Sequence, residues 1–302
     1  MRQRYLALLS VFASLPAMAI TFQTRLESIE WKVDGDQFEC RLSQPITDFG
    51  VGEFVRRAGE QATFRLKANG GMLAPGSATL LAAEAPWQPG RGDVSLGAVK
   101  VNNSQIPFNS SQGQAGRLIA GLLEGRSPVI RHHSLGGDSV LEVRLLPVKF
   151  TKAYSDYQAC TAKLLPMNYE QVKQAQIGFP GGGDELDPHA RTKLQMIVDF
   201  LKADPTVNHI ELDGHSDNGG NRLTNRETSR RRALAVMDYF KAQGIPEKQI
   251  TMRFHGERYP LAPNTNAANR ALNRRVNIHL ERVAPDEKPT PVATAGSAAS
   301  TS

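Results

Sequence analysis

A strand–loop–helix pattern in the last third of this 302-residue chain constrains its fold more than any other feature. Ile210 and Leu212 alternate with acidic residues, which predicts a short strand with one buried face. The Gly-, Ser-, Asp- and Asn-rich run over residues 214–220 predicts a loop. The residues that follow repeat apolar side chains at i, i+3, i+4 and i+7 and stop before Gly244 and Pro246. This pattern predicts an amphipathic helix that ends at a glycine.

One side of that helix is a candidate binding face. At about 100° per residue, Asn225, Ser229 and Arg232 fall within roughly 60° of one another, beside the apolar stripe. Asp217 in the preceding loop can therefore meet Arg232 at the edge of one pocket. A carboxylate next to a guanidinium fork suits a ligand that carries both an amine and a carboxylate. His215, in the same loop, is a candidate for the border of this pocket.

The segments GHSDNGG, NRETSRRRALAV, ITMRFHGERYP and NRRVNIHLE resemble the OmpA-like peptidoglycan-binding domain. The resemblance implies that Asp217 and Arg232 clamp the diaminopimelate of a peptidoglycan stem peptide, with Asn225, Ser229 and His215 around them. It implies that Asn273-Arg274-Arg275 are structural or border the pocket, and we rank them below Asp217 and Arg232 as ligand contacts. The sequence departs from the family at Thr228, where the family has Leu, and neither ligand-contacting position is affected.

The composition and the N-terminus indicate an exported protein. Hydrophobic residues make up 40% of the chain and charged residues 22%, as in ordinary globular domains. Residues 1–19 have a positive start, a short apolar run and an Ala-Met-Ala cleavage pattern, which together predict a secretory signal peptide. The formal net charge is +6, and two arginines leave with the signal. The remaining excess fits an anionic cell-wall polymer and does not argue for nucleic acid. We expect no transmembrane segment, because the apolar run is too short to span a bilayer.

The first half of the mature chain predicts a domain built mainly from strands. Alternating runs over 38–42, 62–66 and 140–145 are separated by turns rich in Gly, Pro and Asn, and 116–125 predicts a short helix. The chain has two cysteines, Cys40 and Cys160, the first on an early strand and the second on a helix that leads out of the domain. An even pair in an oxidising compartment favours one disulfide, with two buried free thiols as the alternative.

A second resemblance covers this region. The segments CRLSQPITDFG, FVRRA and PWQPG resemble the N-terminal domain of the MotY family of periplasmic flagellar motor proteins. The resemblance implies a single disulfide between Cys40 and Cys160. It also implies docking on the flagellar basal body, in a T ring formed with a MotX-like partner, around which stator units are recruited. Phe49 and Trp87 are either exposed anchors of this docking or, as aromatics in a β domain more often are, part of the core.

The predicted fold class is therefore α+β with two domains. Residues 1–19 are the signal peptide, and 20–165 form a mainly antiparallel β domain that docks on the basal body. Residues 166–283 form an OmpA-like α/β sandwich, a mixed sheet with helices on one face. In it, 172–179 is predicted as the first strand, and Asp187-Pro188 as the start of the first helix. Residues 284–302, rich in Pro, Ala, Thr and Ser, are predicted to be disordered.

Three functions remain as alternatives. The first is a non-catalytic flagellar motor protein that binds peptidoglycan in the periplasm. The second is a general cell-wall anchor unrelated to flagella. The third, disfavoured, is a peptidoglycan hydrolase, which would need two carboxylates across a sugar cleft, drawn from Glu211, Asp213 and Asp217. No cofactor or metal is expected, because the histidines lack metal-ligand spacing.

Overall fold

The computed structural model describes residues 20–70, 73–133 and 140–283. The predicted signal peptide over residues 1–19 and the predicted tail over residues 284–302 lie outside the described residues. The chain divides into two compact units, with the division between Leu164 and Leu165. Within the described ranges, no helix is long and apolar enough to cross a membrane.

A ten-stranded sheet dominates the described part of the first unit. Its strands are β1 (Ile20–Phe22), β2 (Lys32–Gly35), β3 (Glu39–Ile46), β4 (Gly50–Arg57), β5 (Thr63–Ala68), β6 (Gly76–Ala83), β7 (Val94–Val101), β8 (Phe108–Asn109), β9 (Ser127–His133) and β10 (Val140–Arg144). Their order is β1-β10-β9-β6-β7-β8-β5-β4-β3-β2. The pairings are antiparallel apart from β1 with β10. The prediction of a mainly antiparallel β domain is confirmed.

Two helices pack against this sheet, α1 (Gln112–Leu123) and α2 (Phe150–Thr161), and a single 3-10 turn lies at Leu26–Ser28. Helix α1 begins before the predicted start at residue 116, because Ser111 and Gln114 form a capping box that satisfies two backbone N–H groups. The core between the layers is rich in phenylalanine. The rings of Phe54 and Phe64 lie 4.9 Å apart.

Strand β3 is tied to distant parts of the same unit. The side-chain amide of the fully buried Gln44 donates to Leu146 O at 2.9 Å and accepts from Leu146 N at 2.9 Å. Cys40 of β3 forms a disulfide with Cys160 of α2, with Cα atoms 6.1 Å apart across 120 residues of sequence. These contacts hold β3 against the segment after β10 and against the helix that ends the unit.

The two aromatic residues proposed as docking anchors occupy different environments. Phe49 is fully buried, and its ring packs 5.5 Å from that of Phe22. Trp87 is 43% exposed, in the turn after β6. Phe49 therefore belongs to the core, and of the pair Trp87 alone offers an exposed ring to a partner.

A mixed four-stranded sheet organises the described part of the second unit. Its strands are β11 (Gln174–Gly178), β12 (His209–Gly214), β13 (Ile250–Phe254) and β14 (Arg275–Glu281), and its helices are α3 (Tyr169–Val172), α4 (Pro188–Ala203), α5 (Arg222–Ala242) and α6 (Ala267–Asn273), with a 3-10 turn at Glu247–Gln249. The order is β11-β14-β12-β13. Strand β14 is antiparallel to β11 and β12, and β13 is parallel to β12. The α+β fold class predicted for the two domains is confirmed.

Alternation along β12 separates the two faces of this sheet. Ile210 and Leu212 are fully buried on the face that packs against α5, where Val236 is also fully buried. Glu211 and Asp213 lie on the opposite, more open face. Burial of the apolar alternate positions fixes the register of β12, since a slip of one residue would place the two acids in the core.

The predicted boundaries in the second unit hold, with one exception. Asp187 caps α4 by accepting from Ala190 N at 2.7 Å. Gly244 lies just past α5 with φ of +88°, a left-handed conformation that favours glycine. The strand predicted over 172–179 is wrong at its start. Asn168 and Gln171 form a capping box that starts the short helix α3, and Val172 is the last residue of that helix. The strand therefore runs only over Gln174–Gly178.

Candidate functional site

Asp217 lies in the loop between β12 and α5 and is held from two sides. Its Oδ2 accepts a hydrogen bond from Arg274 Nη1 at 2.8 Å, and its Oδ1 accepts one from Gly219 N at 3.2 Å. The Asp217 side chain is 19% exposed and that of Arg274 is 14% exposed. The carboxylate is therefore oriented by the protein and still reaches solvent.

The pKa of the Asp217 carboxyl lies below its ordinary value. Burial by itself would raise this pKa, but the hydrogen bonds from Arg274 and Gly219 lower it, as do the positive charges of Arg274 and Arg232. The carboxyl group is thus ionised at neutral pH, as binding of an ammonium group requires.

Arg232, on the third turn of α5, is 1% exposed and holds a loop of backbone. Its Nε donates to Gly183 O at 2.8 Å, its Nη2 to Gly182 O at 2.6 Å and its Nη1 to His215 O at 3.0 Å. A guanidinium group has five N–H donors, so two are left over. In this structure the guanidinium is thus an anchor for backbone carbonyls, with limited remaining capacity for a ligand.

Arg232 remains protonated although its side chain is buried. Desolvation lowers its pKa to about 10, and the positive charge of Arg274 lowers it as well, whereas the negative charge of Asp217 raises it. The guanidinium group is therefore protonated at neutral pH, and it adds to the positive potential at Asp217.

Two arginines together hold the segment from Phe179 to Gly183, which begins the connection between β11 and α4. Arg274 donates from Nε to Phe179 O at 3.0 Å and from Nη2 to Pro180 O at 2.6 Å, and Arg232 binds the two carbonyls that end the segment. A Cβ added at Gly181 or Gly182 would meet no atom within 4 Å. The segment is thus pinned through its carbonyls and is open on its other side.

Asn225 and Ser229, predicted on the same face of α5 as Arg232, brace the loops around it. Asn225 Nδ2 donates to Gly220 O at 2.9 Å and also binds the carboxylate of Glu257, while its Oδ1 accepts from Gly220 N at 3.1 Å. Ser229 Oγ accepts from Gly256 N at 3.0 Å. Both residues are buried and bind the protein itself, so in this structure they position the loop of Asp217.

His215 is buried beside a second histidine. Its ring stacks 5.0 Å from the ring of His255, whose Nε2 lies 2.8 Å from Asp213 Oδ1. Desolvation lowers the pKa of His215 to about 4, with further lowering from the nearby positive charge of Arg275. The structure therefore brings the backbone carbonyl of His215 to Arg232, whereas its neutral ring packs against His255.

Arg274, which the sequence analysis ranks below Asp217 and Arg232, contacts Asp217 directly in the structure. Strand β14 pairs antiparallel with β12, and Val276 lies opposite Gly214. Residue 274 therefore falls opposite residue 216, one position from Asp217. The alternating apolar residues of the two strands fix their register, so the proximity of Arg274 to Asp217 can be predicted once β12 and β14 are known to be neighbours. The sequence alone does not show that they are neighbours.

Two of the three candidate hydrolase carboxylates bind other side chains. Glu211 Oε1 lies 2.7 Å from Arg253 Nη2, and Asp213 pairs with His255. Among the described residues, no group of three or more His, Cys, Asp or Glu side chains is arranged to hold a metal ion. The arrangement around Asp217 instead offers an oriented carboxylate next to two guanidinium groups, which complements a ligand bearing both an ammonium and a carboxylate.

Both units match known protein families. Residues 22–166 match the MotY N-terminal domain, and residues 178–274 match the OmpA family. The chain is similar to the sodium-type flagellar protein MotY of Vibrio parahaemolyticus, with 27% identity over 84% of this chain and 87% of that protein. It also resembles the outer-membrane lipoprotein YfiB of Pseudomonas aeruginosa, with 36% identity over 36% of this chain and 65% of that one.

Two further similarities also concern about a third of the chain. The peptidoglycan-binding protein ArfA of Mycobacterium tuberculosis is 35% identical over 35% of this chain and 32% of its own length. Among solved structures, the C-terminal domain of Helicobacter pylori MotB matches 36% of this chain and 86% of that chain, with 24% identity and a TM-score of 0.34.

Proposed function

Because the chain carries a MotY N-terminal domain followed by an OmpA-family domain, we propose that it is a non-catalytic periplasmic protein of the flagellar motor that binds peptidoglycan through its second unit. The similarity to the Vibrio flagellar protein extends over both units, which favours a flagellar role over that of a general cell-wall anchor. Peptidoglycan binding is supported by the OmpA-family match and by the geometry around Asp217.

The first unit has the docking role in this proposal. It binds the flagellar basal body and forms a T ring with a MotX-like partner, and stator units are recruited around that ring. The exposed ring of Trp87 is a candidate anchor for this docking. A stator that pushes against a rotor needs a fixed support, and attachment of the second unit to the cell wall would provide one.

The observation that carries the peptidoglycan proposal is the ionised, partly exposed carboxylate of Asp217, which is hydrogen-bonded to Arg274 and whose pKa is lowered by that hydrogen bond and by the nearby charge of Arg232. The ammonium group of a diaminopimelate side chain binds this carboxylate. Its carboxylate takes the two unused N–H donors of Arg232 after the open segment at Gly181 and Gly182 moves aside. Ligand binding thus adds a carboxylate to the guanidinium group that also binds backbone carbonyls.

Pull-down of the purified full chain on insoluble peptidoglycan tests this proposal. We expect the wild type to sediment and Asp217→Asn to weaken binding by about 2–5 kcal/mol, since it leaves the ligand ammonium without its charged partner. Arg232→Lys should also weaken binding, because a lysine ammonium keeps the charge but cannot form the paired hydrogen bonds of a guanidinium with a carboxylate. Arg232→Lys is preferred to alanine because it keeps a cation beneath the glycine segment. Asp238→Asn and Arg230→Lys, at exposed and half-exposed positions on the same helix, are matched controls.

Each outcome of the pull-down has a distinct meaning. If Asp217→Asn and Arg232→Lys bind as well as the controls while all variants keep the wild-type circular dichroism, the clamp assignment is wrong. If the wild type does not bind at all, the proposed cell-wall role of the second unit fails. A zymogram on cell-wall substrate checks the non-catalytic assignment, and a cleared band would contradict it.

A further inference from the structure

A second cavity in the C-terminal unit lies between the first turns of α5 and the loop that follows β13. Its volume is about 570 Å³, and its lining includes Arg222, Arg226, Arg258, Phe254 and Glu257. This cavity does not include the residues around Asp217. Asn225 lies between the cavity and the loop of Asp217, because it forms hydrogen bonds both to Gly220 of that loop and to Glu257 of the cavity lining.

Within the part of the chain that the structure describes, the three arginines of this cavity are unpaired. Across residues 20–70, 73–133 and 140–283, the guanidinium groups of Arg222, Arg226 and Arg258 form no ion pair and no side-chain hydrogen bond. Most other arginines of this unit do have such partners, for example Arg253 with Glu211. The lining has one carboxylate, that of Glu257, which also binds the amide of Asn225. Three guanidinium groups against one carboxylate leave the cavity with a net positive charge.

The positions of two of these arginines cost stability. Arg222 and Arg226 are one helical turn apart on α5, a spacing at which like charges repel by a few tenths of a kcal/mol. Arg222 is also the first residue of that helix, where the macrodipole disfavours a cation. An anion placed between them would relieve both effects.

The guanidinium group of Arg226 is oriented by an aromatic ring. Arg226 lies over the ring of Phe254, with its Cζ 5.1 Å from the ring centroid. Stacking on an aromatic face restrains the guanidinium plane and leaves the N–H groups at its edge free to donate. Leu223, 79% exposed in the same lining, adds an apolar rim.

We propose that this cavity is an oxyanion-binding site, distinct from the Asp217–Arg232 pair, that takes a carboxylate or phosphate group between Arg222, Arg226 and Arg258. Guanidinium forks bind both groups through paired oxygens, so the chemistry of recognition is shared. The two sources are a carboxylate-bearing polymer or peptide and a phosphate-bearing molecule. The site binds its anion whether or not the proposed clamp binds diaminopimelate.

Isothermal titration calorimetry of the full chain with citrate and, separately, with inorganic phosphate tests the proposal. An ionic strength of about 0.01 M keeps screening weak. We expect saturable binding of at least one probe, weakened at least tenfold by Arg222→Gln and by Arg226→Gln. The probe that binds more tightly identifies the source as carboxylate or phosphate. Arg222 has no partner to lose, so its variant should fold normally even if Arg226→Gln does not.

The matched control is Arg230→Gln. Arg230 is on the same helix, pairs with Glu227 and lies outside the cavity, and its loss changes the net charge by the same amount. The proposal is overturned if neither probe binds, or if Arg230→Gln weakens binding as much as Arg222→Gln does. Arg232 is not part of the cavity, so Arg232→Lys should leave citrate and phosphate binding unchanged. Failure of the peptidoglycan pull-down would therefore contradict the proposed function alone, and failure of the anion titration would contradict the oxyanion site alone.

Discussion

Arg274 Nη1 lies 2.8 Å from Asp217 Oδ2, across 57 residues of sequence, while the same guanidinium group binds the carbonyls of Phe179 and Pro180. One side chain therefore orients the candidate ligand-binding carboxylate and holds the segment beside it. The position of Asp217 is consequently coupled to the position of that segment.

Replacement of Arg274 should affect both stability and binding. Arg274→Gln removes the hydrogen bonds to Asp217, Phe179 and Pro180, so we expect the free energy of unfolding to fall by about 1–3 kcal/mol. We also expect peptidoglycan binding to weaken, because the Asp217 carboxylate loses its orientation. Urea unfolding and the sacculus pull-down measure the two effects. Tighter binding would instead mean that Arg274 competes with the ligand for Asp217.

The lowered pKa of Asp217 predicts a pH dependence of stability. Because the native state holds the carboxylate more strongly than the unfolded chain does, its contribution is present above the ordinary Asp pKa of about 4 and is lost as pH falls through the native value. Asp217→Asn should therefore be less stable than the wild type at pH 7, and the difference should shrink at pH 3. Urea unfolding at the two pH values checks this, and an equal difference at both would contradict it.

His215 predicts a second pH dependence, in a different range. Its native pKa of about 4 lies below the ordinary value of about 6.5, so between these values the unfolded chain binds a proton that the native state does not. The free energy of unfolding should therefore decrease as pH falls through this range, and His215→Gln should flatten the slope. His189→Gln, at an exposed position on α4, is the control for the loss of a histidine.

Loss of the disulfide should destabilise the first unit. Cys40 and Cys160 close a loop of 120 residues, and they are the two cysteines of the chain. Replacing both with serine should lower the free energy of unfolding by about 2–5 kcal/mol, because the unfolded chain gains conformational freedom. Thermal unfolding with and without a reductant measures this. A reductant should lower the melting temperature of the wild type and leave that of the double variant unchanged.

Local patterns account for the elements that were correctly predicted. Strand β12 follows from the alternation of Ile210 and Leu212 with acids, and α4 from the cap at Asp187. Such signals act within a few residues, so they can be read without knowledge of neighbouring elements. The early start of α1 and the short helix α3 depend on capping boxes, which are equally local signals.

The sequence by itself determined the two-domain α+β organisation, the strand and helix types, and which residues of the 214–232 region cluster on one side, because periodicity and capping are encoded locally. Only the tertiary structure decided the partners of those residues. Arg232 reaches the carbonyls of Gly182 and Gly183, and Arg274 reaches Asp217, across 49 to 57 positions of sequence. Such pairings depend on which strands become neighbours and in which register, a long-range outcome that no local pattern specifies.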